Sequence, residues 1–320
     1  MANAAKFVAE GVIPACLLPF DRDLAIDRAG YRKHLQDVTG VAGITAITVN
    51  AHASEVASCS FEEQQRVLAL TMDEVGGRLP VVSGIYADGS LEAARLARMA
   101  ASGGAAALLV FPPNPFILGA QGRPEMALAH FGAIADACDL PIICFQYPLA
   151  GGQGYPLATL VKLAEAVPSM VAIKDWCNNV AQHERHIRVL HGLPRPVKVL
   201  TTHSAWLLSS LVLGCAGLLS GAGSVIADVQ VAIFQAVKRN DLARAKRIYD
   251  QAYPLVERFY ADPFVDMHNR MKETLALLGR LGPSYVRPPL VKPTPVELDL
   301  LERALKAAGI GRDGALLQAA

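Results

Sequence analysis

MVAIKDWCNNVAQHERHIRVLHGLPRPVKVLTTHS, residues 170 to 204, contains a short apolar run, a longer amphipathic stretch and a second short run. Runs of four to eight residues rich in Val, Ile and Leu read as buried strands, and the stretch between them reads as a helix. A strand, a crossover helix and a second strand form the repeating unit of a parallel sheet. The same alternation continues on both sides. Strand candidates lie at 12–20, 43–50, 80–87, 106–113, 141–148, 170–176, 197–204 and 217–224. Eight strand-helix units predict an α/β fold, the (β/α)8 TIM barrel. Helix starts are readable between them. Ser60 with Glu63 three residues on predicts a reciprocal N-terminal cap, and a helix opening at Ser90 ends at Gly103. After residue 228 the strand pattern stops and about three helices follow. The chain therefore divides into a barrel over 10–228 and, over 229–320, the last barrel helix with a C-terminal helical extension. That extension is expected to cover one flank of the barrel or meet another subunit.

Bulk properties exclude several classes of partner. The 320 residues carry a formal net charge of +1, with no run of five or more like charges. No electrostatic footprint for nucleic acid or an anionic membrane follows from that distribution. The cysteines Cys16, Cys59, Cys138, Cys144, Cys177 and Cys215 form no CxxC pair and show no zinc-ligand spacing, so they read as reduced thiols. The N-terminus lacks a basic start, an apolar core and a cleavage site, and the expected location is the cytoplasm. Residues 199 to 227 contain no Asp, Glu, Lys or Arg, but four glycines and five serines divide the stretch. Each piece is shorter than the roughly 20 residues a spanning helix needs, so a buried strand-helix-strand segment is expected.

In such a barrel, chemistry gathers where strands end and the following loops begin. The residues there are Asn50, His52, Glu55, Tyr86, Pro112, Phe145, Tyr147, Lys174, Trp176, Thr202, His203 and Ser220. Lys174 sits at the end of an otherwise apolar run. Strand alternation puts Ala172, Lys174 and Trp176 on one side and Val171, Ile173 and Asp175 on the other. Facing inward, Lys174 is a desolvated amine whose pKa falls, and a neutral amine forms a Schiff base with a ketone or aldehyde. Facing outward, it pairs with an acid such as Asp175 or Glu184.

The motifs decide between these. AIKDW with Lys174 matches the GIKE Schiff-base lysine motif, and HASE ending at Glu55 matches the end of a GTTGE loop. PVVSGI, LPIICFQYP and GCAGLLSGAGSV match third, fifth and eighth strands. From about residue 10 to 308 the chain resembles the dihydrodipicolinate synthase / N-acetylneuraminate lyase family of class I aldolases. The resemblance implies that Lys174 points inward and condenses with a 2-oxo acid such as pyruvate, with no cofactor beyond the covalent imine. It also implies that backbone N–H groups of His52 and Ala53 hold the substrate carboxylate, that Glu55 supports the loop, and that the protein is a homo-oligomer, a dimer or tetramer.

Departures from the pattern bear on specificity. The family's catalytic tyrosine falls at Phe145, its relay threonine at His52 and the tyrosine lent by a neighbouring subunit at Pro113. The arginine that binds a second carboxylate would lie near Ala150, and none is there. Both absences argue against a lysine-pathway dihydrodipicolinate synthase. Tyr147 and His52 are the candidate substitutes for proton transfer, with His203 as a further one. Thr202, His203 and Ser220 are candidates for binding substrate hydroxyls, and Phe145 for the apolar lining. His183, His186 and His191 read as a solvated helix face without a metal, since no carboxylate is spaced to join them. The leading expectation is a Schiff-base aldolase. Its alternatives are a dehydratase of a 2-oxo-3-deoxy acid, a poorly active binding or regulatory relative, and a phosphate-binding barrel using SGAGSV.

Overall fold

The computed structural model describes residues 7 to 311. Eight parallel strands follow one another around a nearly closed barrel: β1 (Gly11–Pro14), β2 (Ile47–Val49), β3 (Val81–Ile85), β4 (Ala107–Val110), β5 (Ile142–Gln146), β6 (Met170–Asp175), β7 (Lys198–Thr201) and β8 (Gly217–Ser220). Hydrogen bonding runs β1-β8-β7-β6-β5-β4-β3-β2, and bridges from Val12 to Ile44 and Ala15 to Thr48 bring the two ends together. The strands are buried almost throughout, because side chains on one side fill the barrel and those on the other meet the surrounding helices.

Each strand is followed by a helix: α1 (Arg28–Thr39), α2 (Phe61–Val75), α3 (Ser90–Ser102), α4 (Pro124–Ala135), α5 (Leu157–Ala166), α6 (Val180–His191), α7 (Leu207–Val212) and α8 (Gly223–Lys238). The Ser60–Glu63 capping box opens α2, and Gly103 caps the C-terminus of α3. The segment over 199–227 contributes β7, α7 and β8, and no described helix is long and apolar enough to cross a membrane. The eighth strand ends four residues before its expected limit, because residues from Gly223 onward already belong to α8. The extension consists of α9 (Leu242–Phe259), α10 (Met267–Leu277) and α11 (Pro295–Ala308).

Helix α6 departs from expectation. His183 and His186 are fully buried, and both Nδ1 atoms bond Asp175 Oδ2, at 2.8 and 2.7 Å. They share the buried face of α6 with Ile187 and Leu190. His191 is half-buried, and its Nε2 accepts the Val199 N–H at 3.0 Å. A solvated face is therefore incorrect, and a carboxylate does join the histidines. It comes from β6, whose outward side α6 covers.

Close backbone approach fixes the loop after β2. A Cβ on Gly84 in β3 would lie 1.9 Å from the Asn50 carbonyl oxygen, so only glycine admits that loop. Asn50 itself takes a left-handed φ of 52°, a conformation that short polar side chains tolerate, and its Nδ2 donates to the Gln64 carbonyl at 3.0 Å.

Candidate active site

Lys174 projects from the end of β6 into a cavity of about 290 Å³ inside the barrel mouth. It is 5% exposed, and its Nζ lies 4.0 Å from the centre of the Phe145 ring. Among the described residues it has no ion-pair partner, and neither Asp175 nor Glu184 reaches it. Burial without compensation disfavours the ammonium form and lowers the pKa to about 7. A large fraction of Lys174 is then a free amine at neutral pH.

Six other residues singled out in the sequence line the same cavity: His52, Ala53, Phe145, Trp176, Thr202 and His203. His52 opens the short helical turn after β2 (His52–Ser54). Its Nε2 lies 2.9 Å from the Tyr147 hydroxyl, and its ring packs on Phe111 at 4.7 Å. Burial, helped by the charge of Lys174, pushes the His52 pKa down to about 3, while burial pushes the Tyr147 phenol up. At neutral pH the pair is an uncharged imidazole and an uncharged phenol, able to pass a proton between them. Tyr147 does not line the Lys174 cavity. It stands on an adjoining one of about 540 Å³, and His52 borders both. Burial likewise lowers the His203 pKa to about 3, and its ring stacks on Trp206 at 3.9 Å.

Ser220 lies at the edge of the cavity rather than on its wall. Its Oγ is 2.6 Å from Ser204 Oγ and 3.5 Å from the Tyr260 hydroxyl, and it accepts the Ala222 N–H at 3.2 Å. Glu55 occupies a left-handed turn at φ 51°. Its carboxylate is ion-paired with Lys272 and accepts the Arg287 N–H at 3.2 Å, which ties the β2 loop to the C-terminal extension.

The extension does more than cover a flank. Tyr260, Phe264, Met267 and His268, from the α9–α10 connection and the start of α10, line the cavity, and Phe264 stacks on Trp176 at 5.2 Å with ring planes 10° apart. His268 Nε2 is so close to β8 that a Cβ on Gly221 would meet it at 2.8 Å. Burial, then the charges of His52, Lys174 and Lys272, hold His268 well below the ordinary histidine value, placing it in the same electrostatic environment as the amine. No local pattern marks these residues; Tyr260 and His268, three residues before and five after Pro263, carry no motif of their own.

On the other side of β6, burial alone would raise the Asp175 carboxyl. The hydrogen bonds from His183 and His186 outweigh it and hold the group well below the ordinary carboxylate range. Asp175 Oδ1 also accepts the Cys177 N–H at 2.9 Å. Two neighbouring residues of one strand thus hold buried ionisable groups of opposite behaviour, one facing the cavity and the other the helix layer.

Comparison with known proteins agrees with this geometry. The 4-hydroxy-tetrahydrodipicolinate synthase of Symbiobacterium thermophilum is 31% identical, covering 93% of this chain and 98% of that protein. The putative 2-dehydro-3-deoxy-D-gluconate aldolase YagE of Escherichia coli is 26% identical, covering 96% and 99%. The solved structure of YagE in complex with pyruvate superposes with a TM-score of 0.86 at 25% identity, over 94% of this chain and 99% of that one. Residues 8–308 match the model of the dihydrodipicolinate synthetase family. The chain belongs to that family, whose members are class I lyases and aldolases.

Proposed function

We propose that the protein is a Schiff-base aldolase acting on a 2-oxo acid, pyruvate or a pyruvate-derived adduct, and distinct from the lysine-pathway synthase. The observation that carries this is Lys174: an unpaired, buried amine lowered to about 7 beside an open cavity. Its Nζ attacks the keto carbon, the carbinolamine loses water, and, as the C4 hydroxyl of a 4-hydroxy-2-oxo acid gives up its proton, the C3–C4 bond breaks with its electron pair drawn into the imine, leaving an enamine and an aldehyde. Protonation and hydrolysis release pyruvate and free the lysine. No cofactor is required, since the imine is the electron sink. Backbone N–H groups of His52 and Ala53 hold the carboxylate, the His52–Tyr147 pair moves protons in place of the family's hydroxyl relay, and Thr202, His203 and Ser220 bind substrate hydroxyls. The pyruvate complex of the E. coli relative supports the choice of substrate class.

The lining supports the second half of the proposal. Among the described residues no arginine lines the Lys174 cavity. Arg287, at the adjoining cavity, already commits its guanidinium to Glu63 and to the Leu24 and Ser58 carbonyls. A second carboxylate therefore lacks a free cationic partner, whereas Phe145, Trp176 and Phe264 suit a less polar tail. The names of several relatives favour the synthase as a second reading. A panel of pyruvate with varied aldehydes separates the two by carbon–carbon bond formation. The aldolase reading expects turnover with aldehydes of apolar or hydroxylated tail. Turnover confined to an aldehyde bearing a second carboxylate would establish the synthase reading instead.

A further inference from the structure

The outward side of β6 holds four chemically unusual neighbours: Asp175, Cys177, His183 and His203, all buried, each offering an atom of metal-ligand type, with those atoms within 4.8 Å of one another. They come from the end of β6, the start of α6 and the loop after β7, so folding rather than sequence spacing assembles them. Cys177 Sγ lies 4.0 Å from His203 Nε2, and the His183 and His203 ring centres are 5.5 Å apart.

One atom of this cluster points to a ligand. His183 Nδ1 bonds the Asp175 carboxylate, and an ionised carboxylate only accepts, so the ring proton sits on Nδ1 and Nε2 presents a bare lone pair. That Nε2 is buried, on a side chain 0% exposed, and has no hydrogen-bond partner among the described residues. Buried polar atoms are rarely left so, and a carboxylate holding the far nitrogen of an imidazole is the arrangement that orients metal-ligating histidines. His186 braces the same carboxylate at 2.7 Å.

We propose that Cys177, His183 and His203 bind one zinc-class divalent transition ion, with Asp175 orienting His183 through its Nδ1–H. One sulfur and two imidazoles, with a fourth position for water, form a donor set for zinc and its neighbours rather than for magnesium or calcium, which take oxygen. Ligand bonds of about 2.0 to 2.3 Å place tetrahedral donors roughly 3.3 to 3.8 Å apart, so the cluster closes by about 1 Å around an ion. Binding releases the Cys177 thiol proton to solvent. His203 also lines the Lys174 cavity, which gives the ion a path in, and the bound ion pins the cavity wall formed by His203 and Trp206. Asp175 faces the helix layer while Lys174 faces the cavity, so the site shares only His203 with the proposed substrate pocket, and a bound ion would leave hydroxyl binding to Thr202 and Ser220.

Titration of the metal-free, full-length chain with Co²⁺, followed by competition with Zn²⁺, tests this. One Co²⁺ per chain is expected, with strong visible absorption of a tetrahedral ion, a thiolate-to-cobalt band in the near ultraviolet, and quenching of Trp206 fluorescence. Cys177→Ser, nearly isosteric, should remove the thiolate band with far-ultraviolet circular dichroism unchanged. Asp175→Asn should weaken affinity by about 10- to 100-fold. Absence of the bands in the wild-type chain, or their survival in Cys177→Ser, would overturn the proposal.

Discussion

Two lysines of this protein are buried to nearly the same degree and have opposite uses. Lys272, 1% exposed, is ion-paired with Glu55 and donates to the Tyr285 carbonyl at 2.7 Å and the Leu18 carbonyl at 3.3 Å. Lys174, 5% exposed, has an aromatic ring and no acid. Burial lowers both pKa values, but Glu55 counters the effect on Lys272, and nothing counters it on Lys174. The reactivity proposed for Lys174 follows from a missing partner and the open space beside it. Desolvation alone does not achieve this. Lys272 is a tie between the extension and the β2 loop; Lys174 is the proposed nucleophile.

The comparison breaks most visibly in activity. Lys174→Met should abolish trapping of pyruvate by borohydride and reduce turnover by roughly 10⁴-fold or more, since the covalent route itself disappears. Lys272→Met should leave the adduct at Lys174 intact. Next in size is the proton path. His52→Phe and Tyr147→Phe should each lower kcat by about 10²-fold, and the double variant should lose little more, because the two act as one hydrogen-bonded pair. A double loss equal to the product of the single ones would separate them and point to His268 or Tyr260 as the shuttle.

The same substitution at the two lysines should move stability in opposite directions. Folding takes the protonated Lys174 of the unfolded chain, near 10.5, to a value of about 7. The unfolded state binds more protons between those limits, so stability rises with pH there, and the penalty is present in full below pH 7. Lys174→Met should remove that penalty, stabilising the protein by on the order of 5 kcal/mol below pH 7. Lys272→Met leaves Glu55 buried without its cation and should destabilise by about 3 to 5 kcal/mol. Restoring neutrality with Glu55→Gln in that background should recover part of the loss. Urea unfolding at several pH values reads all three variants.

Much of this was legible in the sequence, for a physical reason. Strands buried on both sides are short and uniformly apolar, so eight of them announce a barrel, and a lysine ending one of them stands out. Strand ends place Lys174, His52, Phe145, Trp176, Thr202 and His203, the family resemblance adds Ala53, and all line one cavity. Their strands end earlier than the apolar runs do, because the loops at the mouth are buried too. The extension was not legible as part of the site. Tyr260, Phe264, Met267 and His268 reach the cavity through tertiary packing of α9 and α10, which helical periodicity leaves undetermined. The misreading of α6 was avoidable. His183, His186, Ile187 and Leu190 follow the i, i+3, i+4, i+7 spacing of a buried face, and histidines on such a face require a buried partner. Asp175, on the outward side of its strand, was the acid available to supply one.

The pH dependence of borohydride trapping with pyruvate tests the central claim most directly. An adduct on the peptide containing Lys174, forming about tenfold more slowly per pH unit below a midpoint near 7, is the predicted result. A midpoint near the ordinary lysine value, or no adduct at Lys174 with any 2-oxo acid, would contradict it.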